Sequence, residues 1–183
     1  MNMHTDKQPA AGPELSGGEY LTFTVAQEHY GVDILQVREI RSFEKATRIA
    51  GAASHFLGVL NLRGTIVPIM DLRLLLNPDD TSSQTDGRTA IVIVCVDARV
   101  LGLVVDSVSD VTRVEAGQMR ELPRMPMVAS GSEVVAGLAD IEGQCVLLLD
   151  LARVADRSAH LSGQTDSSGT DGGVDAAAGL VAA

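Results

Sequence analysis

The chain carries one apolar pattern twice, and this repetition limits its possible folds more than any other feature. At an offset of 71, Leu21, Phe23 and Val25 line up with Val92, Val94 and Val96, and Gly31, Val32 and Ile34 with Gly102, Leu103 and Val105. Val37 and Ile40 likewise match Val108 and Val111. At an offset of 79, Gly58-Val59 matches Gly137-Leu138, Gly64 matches Gly143, and Val67, Asp71 and Leu72 match Val146, Asp150 and Leu151. Glycines and aspartates agree as well as apolar residues, so the match exceeds the small alphabet that strands share. Duplication predicts two similar β lobes. A lobe of ~70 residues encloses only a modest core, so the two should pack together and share apolar surface. A joint of this kind predicts a groove between the lobes, a natural docking place. The second copy holds eight more residues between Val111 and Gly137, in a stretch with Gly117, Pro123, Pro126 and Gly131 that reads as a longer loop.

Within each copy the signals are mostly those of strands. Leu21, Phe23 and Val25 alternate with smaller or polar residues, as in a half-buried strand. Val59–Leu62 and Thr65–Met70 flank Arg63-Gly64, a hairpin turn in which glycine supplies a positive φ. Pro68 cannot donate to a ladder, so its nitrogen should face an edge or a bulge. Ile91–Val96 and Val100–Val105 form a second hairpin about Asp97-Ala98-Arg99. After Ile34 and after Val105 the apolar spacing changes from two to three, which predicts a strand running into a helical turn in both copies. Asp71 should cap a short helix over Leu72–Leu76 that Asn77-Pro78 stops, and Asp150 should cap Leu151–Asp156. The expected organisation is a flexible arm over 1–18, a body over 19–156 and a disordered tail over 157–183. The two lobes span about 19–76 and 89–156, and Ala176–Ala183 is at most a marginal helix.

Composition removes several functions. The net charge of −10 argues against a duplex-binding surface, which needs clustered Lys and Arg. Aromatic residues are 3% with no Trp, so stacking platforms for single strands or sugars are missing. Cys95 and Cys145 read as two buried free thiols, and His4, His29, His55 and His160 as surface histidines without metal-ligand spacing. Asp106 and Asp110 read as solvated faces rather than catalytic carboxylates. The chain has no nucleophile elbow, phosphate loop or dinucleotide fingerprint. Ser54-His55 has no evident orienting acid. The start lacks the apolar core of a signal peptide, and no apolar run approaches the ~20 residues of a membrane span, so a cytoplasmic protein is expected.

The most informative patch joins Val37-Arg38-Glu39-Ile40-Arg41 to Asn61-Leu62-Arg63-Gly64. The guanidinium at a tight turn presents a fixed fork of donors, suited to a carboxylate, and Glu39 is one possible internal partner. In the second copy Arg63 becomes Glu142, so the two turns carry opposite charge. Tyr20–Val25, Tyr30–Ile40, Phe56–Arg73 and Gly102–Val111 together resemble the CheW family of chemotaxis coupling proteins over about 19–156. The block from Asn61-Leu62-Arg63-Gly64 through Pro68 to Asp71 carries most of the likeness, since it fixes turn, edge proline and helix cap together.

This resemblance implies a mainly β fold of two intertwined SH3-like five-stranded β-barrels with short helices, and no catalytic residue, cofactor or metal. It implies an adaptor joining the helical-hairpin tip of a chemoreceptor to the regulatory domain of the histidine kinase CheA. That kinase domain has a similar fold, and the two would alternate in head-to-tail rings. The receptor-binding groove carries over to Val37, Glu39, Ile40, Gly58, Arg63, Val108 and Val111. The valines and Ile40 would supply apolar contact, Glu39 and Arg63 polar specificity, and Gly58 room for close backbone approach. No nucleic acid and no direct membrane insertion are expected, only recruitment to membrane-associated arrays. The alternatives are a CheV-type scaffold serving another receptor-coupled output, such as surface motility or second-messenger control, and a small β-barrel enzyme. Ala50–His55 lacks the prolines usual before this block, so no contact is assigned to that loop.

Overall fold

A computed structural model of the chain describes residues 17–77, 85–122 and 132–162. Eleven strands form among the described residues. The first five are β1 (Gly18–Val25), β2 (Glu28–Asp33), β3 (Val37–Ser42), β4 (Phe56–Leu62) and β5 (Thr65–Asp71). They are followed by β6 (Ala90–Val96), β7 (Arg99–Val105), β8 (Ser107–Val114), β9 (Met119–Arg120), β10 (Val135–Ile141) and β11 (Gln144–Leu149). Helix α1 is Leu72–Leu76 and helix α2 is Leu151–Ser162. Four hairpins close on two-residue turns, Ala26-Gln27, Arg63-Gly64, Asp97-Ala98 and Glu142-Gly143, with every central residue at positive φ. Such turns match the twist of the flanking strands. The two repeat-related turns are built alike: Asn61 Oδ1 accepts the Gly64 N–H at 2.8 Å, and Asp140 Oδ1 the Gly143 N–H at 2.9 Å.

The strands form two sheets, ordered β8-β1-β2-β11-β10-β9 and β3-β6-β7-β5-β4. By the repeat, β1–β2 corresponds to β6–β7, β3 to β8, and β4–β5 to β10–β11. Each sheet therefore takes the opening hairpin of one copy and the remaining strands of the other. The crossing points are two parallel ladders, β11 on β2 at Leu147↔Tyr30 and β5 on β7 at Ile69↔Gly102. The first sheet has a sixth strand because two-residue β9 pairs with β10. Pro68 lies where β5 pairs with β4 alone, since the β7 ladder begins at Ile69. The mainly β, intertwined two-barrel architecture matches the expectation.

The expected helical turn forms after Ile34, as a 3-10 turn, but not after Val105, and in both copies the next spacing of three is a β-bulge. Val37 and Ile40 on β3 face Val94 and Val92 on β6, with the register shift between Val37 and Glu39. Val111 and Val108 on β8 face Leu21 and Phe23 on β1, with the matching shift. In both copies the strand spends one extra residue, so a spacing of three stays on one face. A single 3-10 turn over Ile34–Gln36 precedes β3, while only Asp106 separates β7 from β8.

The apolar side chains gather in three clusters. Each sheet wraps a small core of its own. Ile91, Val67 and Ile69 fill the second barrel at the places that Tyr20, Val146 and Leu148 fill in the first. The largest cluster lies between the sheets and draws Leu21, Phe23 and Val25 from β1 and Val92, Val94 and Val96 from β6. Leu72 and Leu75 of α1 and Leu151 and Val154 of α2 complete it. The main core thus lies where the two barrels meet: apolar faces of two small barrels gain most by burying each other.

Helix α1 begins as predicted, with Asp71 Oδ1 accepting the Arg73 N–H at 3.0 Å. Helix α2 runs on to Ser162, past the expected boundary at 156, with Val154 and Ala155 in the core and Arg157 paired to Glu133. The arm over 1–16, the linker over 78–84, the loop over 123–131 and the tail from 163 lie outside the described residues.

Candidate protein-binding site

Strands β3 and β8 are edge strands, one in each sheet. Each carries one large apolar residue that the fold leaves uncovered, Ile40 at 46% exposure and Val111 at 43%. These two are repeat equivalents. Three residues before them, Val37 and Val108 lean onto the central cluster and are partly buried.

Glu39 sits between Val37 and Ile40 on β3. The β4–β5 turn brings Arg63, at φ 53° and 87% side-chain exposure, to within 3.4 Å of it, Nη2 donating to Oε2. Arg41 approaches the other Glu39 oxygen at 3.9 Å but makes its closer bond, 2.8 Å, to Glu44. An exposed pair of this kind contributes only ~0–1 kcal/mol to folding. Arg63 is thus free to exchange its partner at little cost to the fold.

Gly58 makes room for a close backbone approach. Its φ is +135°, and a Cβ there would lie 2.1 Å from the Thr47 carbonyl oxygen. The backbone it admits belongs to this chain: Thr47 and Val59 exchange both backbone bonds at 2.9 Å. The structure therefore joins Glu39 to Arg63, sets Ile40 and Val111 on exposed edges and Val37 and Val108 at the core margin, and places Gly58 beneath the segment that holds Thr47.

Beside the Arg63–Glu39 pair opens a pocket of about 400 Å³. Its walls are Leu62, Val67, Ile93 and Val100, and its rim is Arg38, Glu39, Arg63 and Thr65. The sequence reading missed these walls. They are alternate residues of four different strands, and only the sheet order brings them together.

Other expectations are also corrected. Cys145 is exposed and Cys95 partly buried, because Cys145 falls next to the β10–β11 turn and Cys95 accepts a 3.4 Å contact from Arg38 Nη2. His55 is buried, its carbonyl accepting the Asp71 N–H at 2.7 Å. Asp106 is no mere solvated face. It accepts the Ala26 N–H at 2.7 Å and Arg73 Nη1 at 3.0 Å. Buried Arg73 also donates from Nε and Nη2 to the two Asp71 oxygens at 2.9 and 2.8 Å. The Asp71 bonds hold its pKa above the ordinary guanidinium value, against the opposing effect of burial. Among the described residues no cluster of three or more His, Cys, Asp or Glu is placed to hold a metal ion, and no helix is long and apolar enough to cross a membrane.

Ile40→Asp and Val111→Asp should leave the unfolding midpoint nearly unchanged, within ~0.5 kcal/mol, because neither side chain packs in a core. Urea denaturation followed by circular dichroism checks this.

Two interlocked SH3-like barrels, with Ile40, Val111 and the Arg63–Glu39 pair on the surface, have the architecture of a β-barrel scaffold. The CheW-like domain model matches residues 19–159. The chain is 40% identical over 141 residues to the chemotaxis protein CheW of Klebsiella aerogenes, covering 77% of this chain and 83% of that one. It is 36% identical to CheW of Rhizobium meliloti, covering 75% and 87%. Among solved structures it is similar to the scaffolding protein TtCheW of Thermoanaerobacter tengcongensis, with TM-score 0.67, 25% identity and coverage of 73% of this chain and 89% of that one. The chain belongs to the CheW family of chemotaxis coupling proteins.

Proposed function

We propose that this chain is a non-catalytic adaptor that couples chemoreceptors to the histidine kinase CheA in signalling arrays at the cytoplasmic face of the membrane. The observation that carries the reading is the family match over 19–159. Its receptor face is Val37, Glu39, Ile40, Arg63, Val108 and Val111. The apolar members meet a ridge of the receptor's helical hairpin, and Arg63 exchanges Glu39 for a carboxylate of the partner. Because the central core fills the space between the barrels, the hairpin docks along the margin of that core and not within it. A contact smaller than ~1,200 Å² binds weakly alone. Repetition across an array supplies avidity. The kinase's regulatory domain, with a fold of the same kind, meets another face in a head-to-tail arrangement.

Arg63→Glu tests the face. The new carboxylate opposes Glu39 at an exposed turn, so the protein stays folded while receptor binding weakens at least ~10-fold, as for a charge reversal in an interface. Co-sedimentation with receptor-bearing membranes, beside circular dichroism, reads both effects. Undiminished sedimentation with a normal spectrum would remove Arg63 from the face.

A further inference from the structure

We infer that the pocket beside Arg63 receives one large apolar side chain from a partner helix, flanked on that helix by a carboxylate. The inference rests on the coupling reading, under which the helix belongs to the receptor tip. At about 400 Å³ the pocket is within the size of sites that bury a ligand group. Val67 and Ile93, in its walls, also belong to the second barrel's core, so an occupant would continue that core outward.

Repeat symmetry sets the core behind these walls apart from that of the first barrel. Thr47 bridges Val59 just as Arg120 pairs with Leu138, so Ala46 stands where the first barrel has Met119. Met119 is buried in the first core, whereas Ala46 brings only a methyl group to the second. At this place the second barrel's core is thus filled by a smaller side chain than the first's.

The rim says what else the occupant carries. On a chain of net charge −10, it sets two guanidinium groups, Arg38 and Arg63, against one carboxylate, Glu39. The neighbour of Arg38 at 3.4 Å is the Cys95 sulfur, not a carboxylate. The excess positive charge fits an acidic partner segment and disfavours a basic one.

Val100→Phe fills the pocket from its wall, and Thr65→Trp covers it from the exposed rim. A soluble fragment of the receptor's cytoplasmic tip is titrated into each variant and into wild type. Methyl NMR of Ile93 and Val100 is recorded in the wild-type titration. The inference predicts wild-type binding with the largest methyl shifts at these two residues, at least 10-fold weaker binding by both filled variants, and weaker binding by Arg38→Glu. Wild-type binding retained within twofold by the filled variants, with unshifted methyls, overturns the pocket and leaves the coupling reading standing. Failure of wild type to bind the fragment overturns the coupling reading itself, and the pocket inference with it. If Val100→Phe lowers the unfolding midpoint, Thr65→Trp and the methyl shifts decide.

Discussion

Arg73→Met is expected to destabilise the protein by about 3–5 kcal/mol, the usual cost of leaving one member of a buried ion pair unpaired. Arg73 and Asp71 have side-chain exposures of 3% and 4%, and two hydrogen bonds join guanidinium to carboxylate. The third arm of Arg73 reaches Asp106, between β7 and β8. Asp106 in turn holds the β1–β2 turn through the Ala26 N–H. The group therefore ties the β5–α1 junction of the first copy to the β7–β8 junction of the second, where the copies exchange strands. Methionine keeps much of the side-chain volume but strands the Asp71 charge. A shift of the thermal midpoint on the order of 10 °C should follow for a body of this size. Adding Asp71→Asn should restore part of the loss, since the amide oxygen still caps α1 and no buried charge is left. If Arg73→Met melts with wild type, the triad contributes little to the fold.

Gly58→Ala is the second large effect, expected to cost about 3 kcal/mol or more from a strained backbone plus steric overlap. Nothing flexible stands in the way of the added methyl: the atom 2.1 Å off is the Thr47 carbonyl oxygen. Relief requires the segment before β4 to leave the barrel, and with it Phe43 and Ala46, which pack on the second core. Gly64→Ala separates the two contributions. That glycine also has positive φ, +89°, but a Cβ there meets nothing within 4 Å, so only the backbone cost of about 1 kcal/mol applies. Urea midpoints of the two variants should differ clearly, and equal midpoints would show that the Thr47 contact is easily relaxed.

Much of this architecture is legible in the residues. The duplication, the turns at Arg63-Gly64 and Asp97-Ala98 and the cap at Asp71 follow from local chemistry that a single chain displays, whereas Glu39 is by sequence only one possible partner of Arg63. What is not legible depends on pairing between distant strands. Val37 to Ile40 has the spacing of a helix, and only the opposite strand, where Val94 to Val92 spans two residues, shows a bulge. That the main core draws on β1 and β6 together needs the exchange of strands between copies to be known. Asp106 looked solvated because its partner Arg73 lies 33 residues earlier. The pocket escaped notice for the same reason.

The account stands most directly on one sedimentation measurement with receptor-bearing membranes, purified CheA and this chain. With the chain present, kinase and chain should pellet together with the membranes. Without it, or with Arg63→Glu in its place, the kinase should remain mostly in the supernatant. A kinase that pellets equally well whether or not the chain is added would contradict the coupling role.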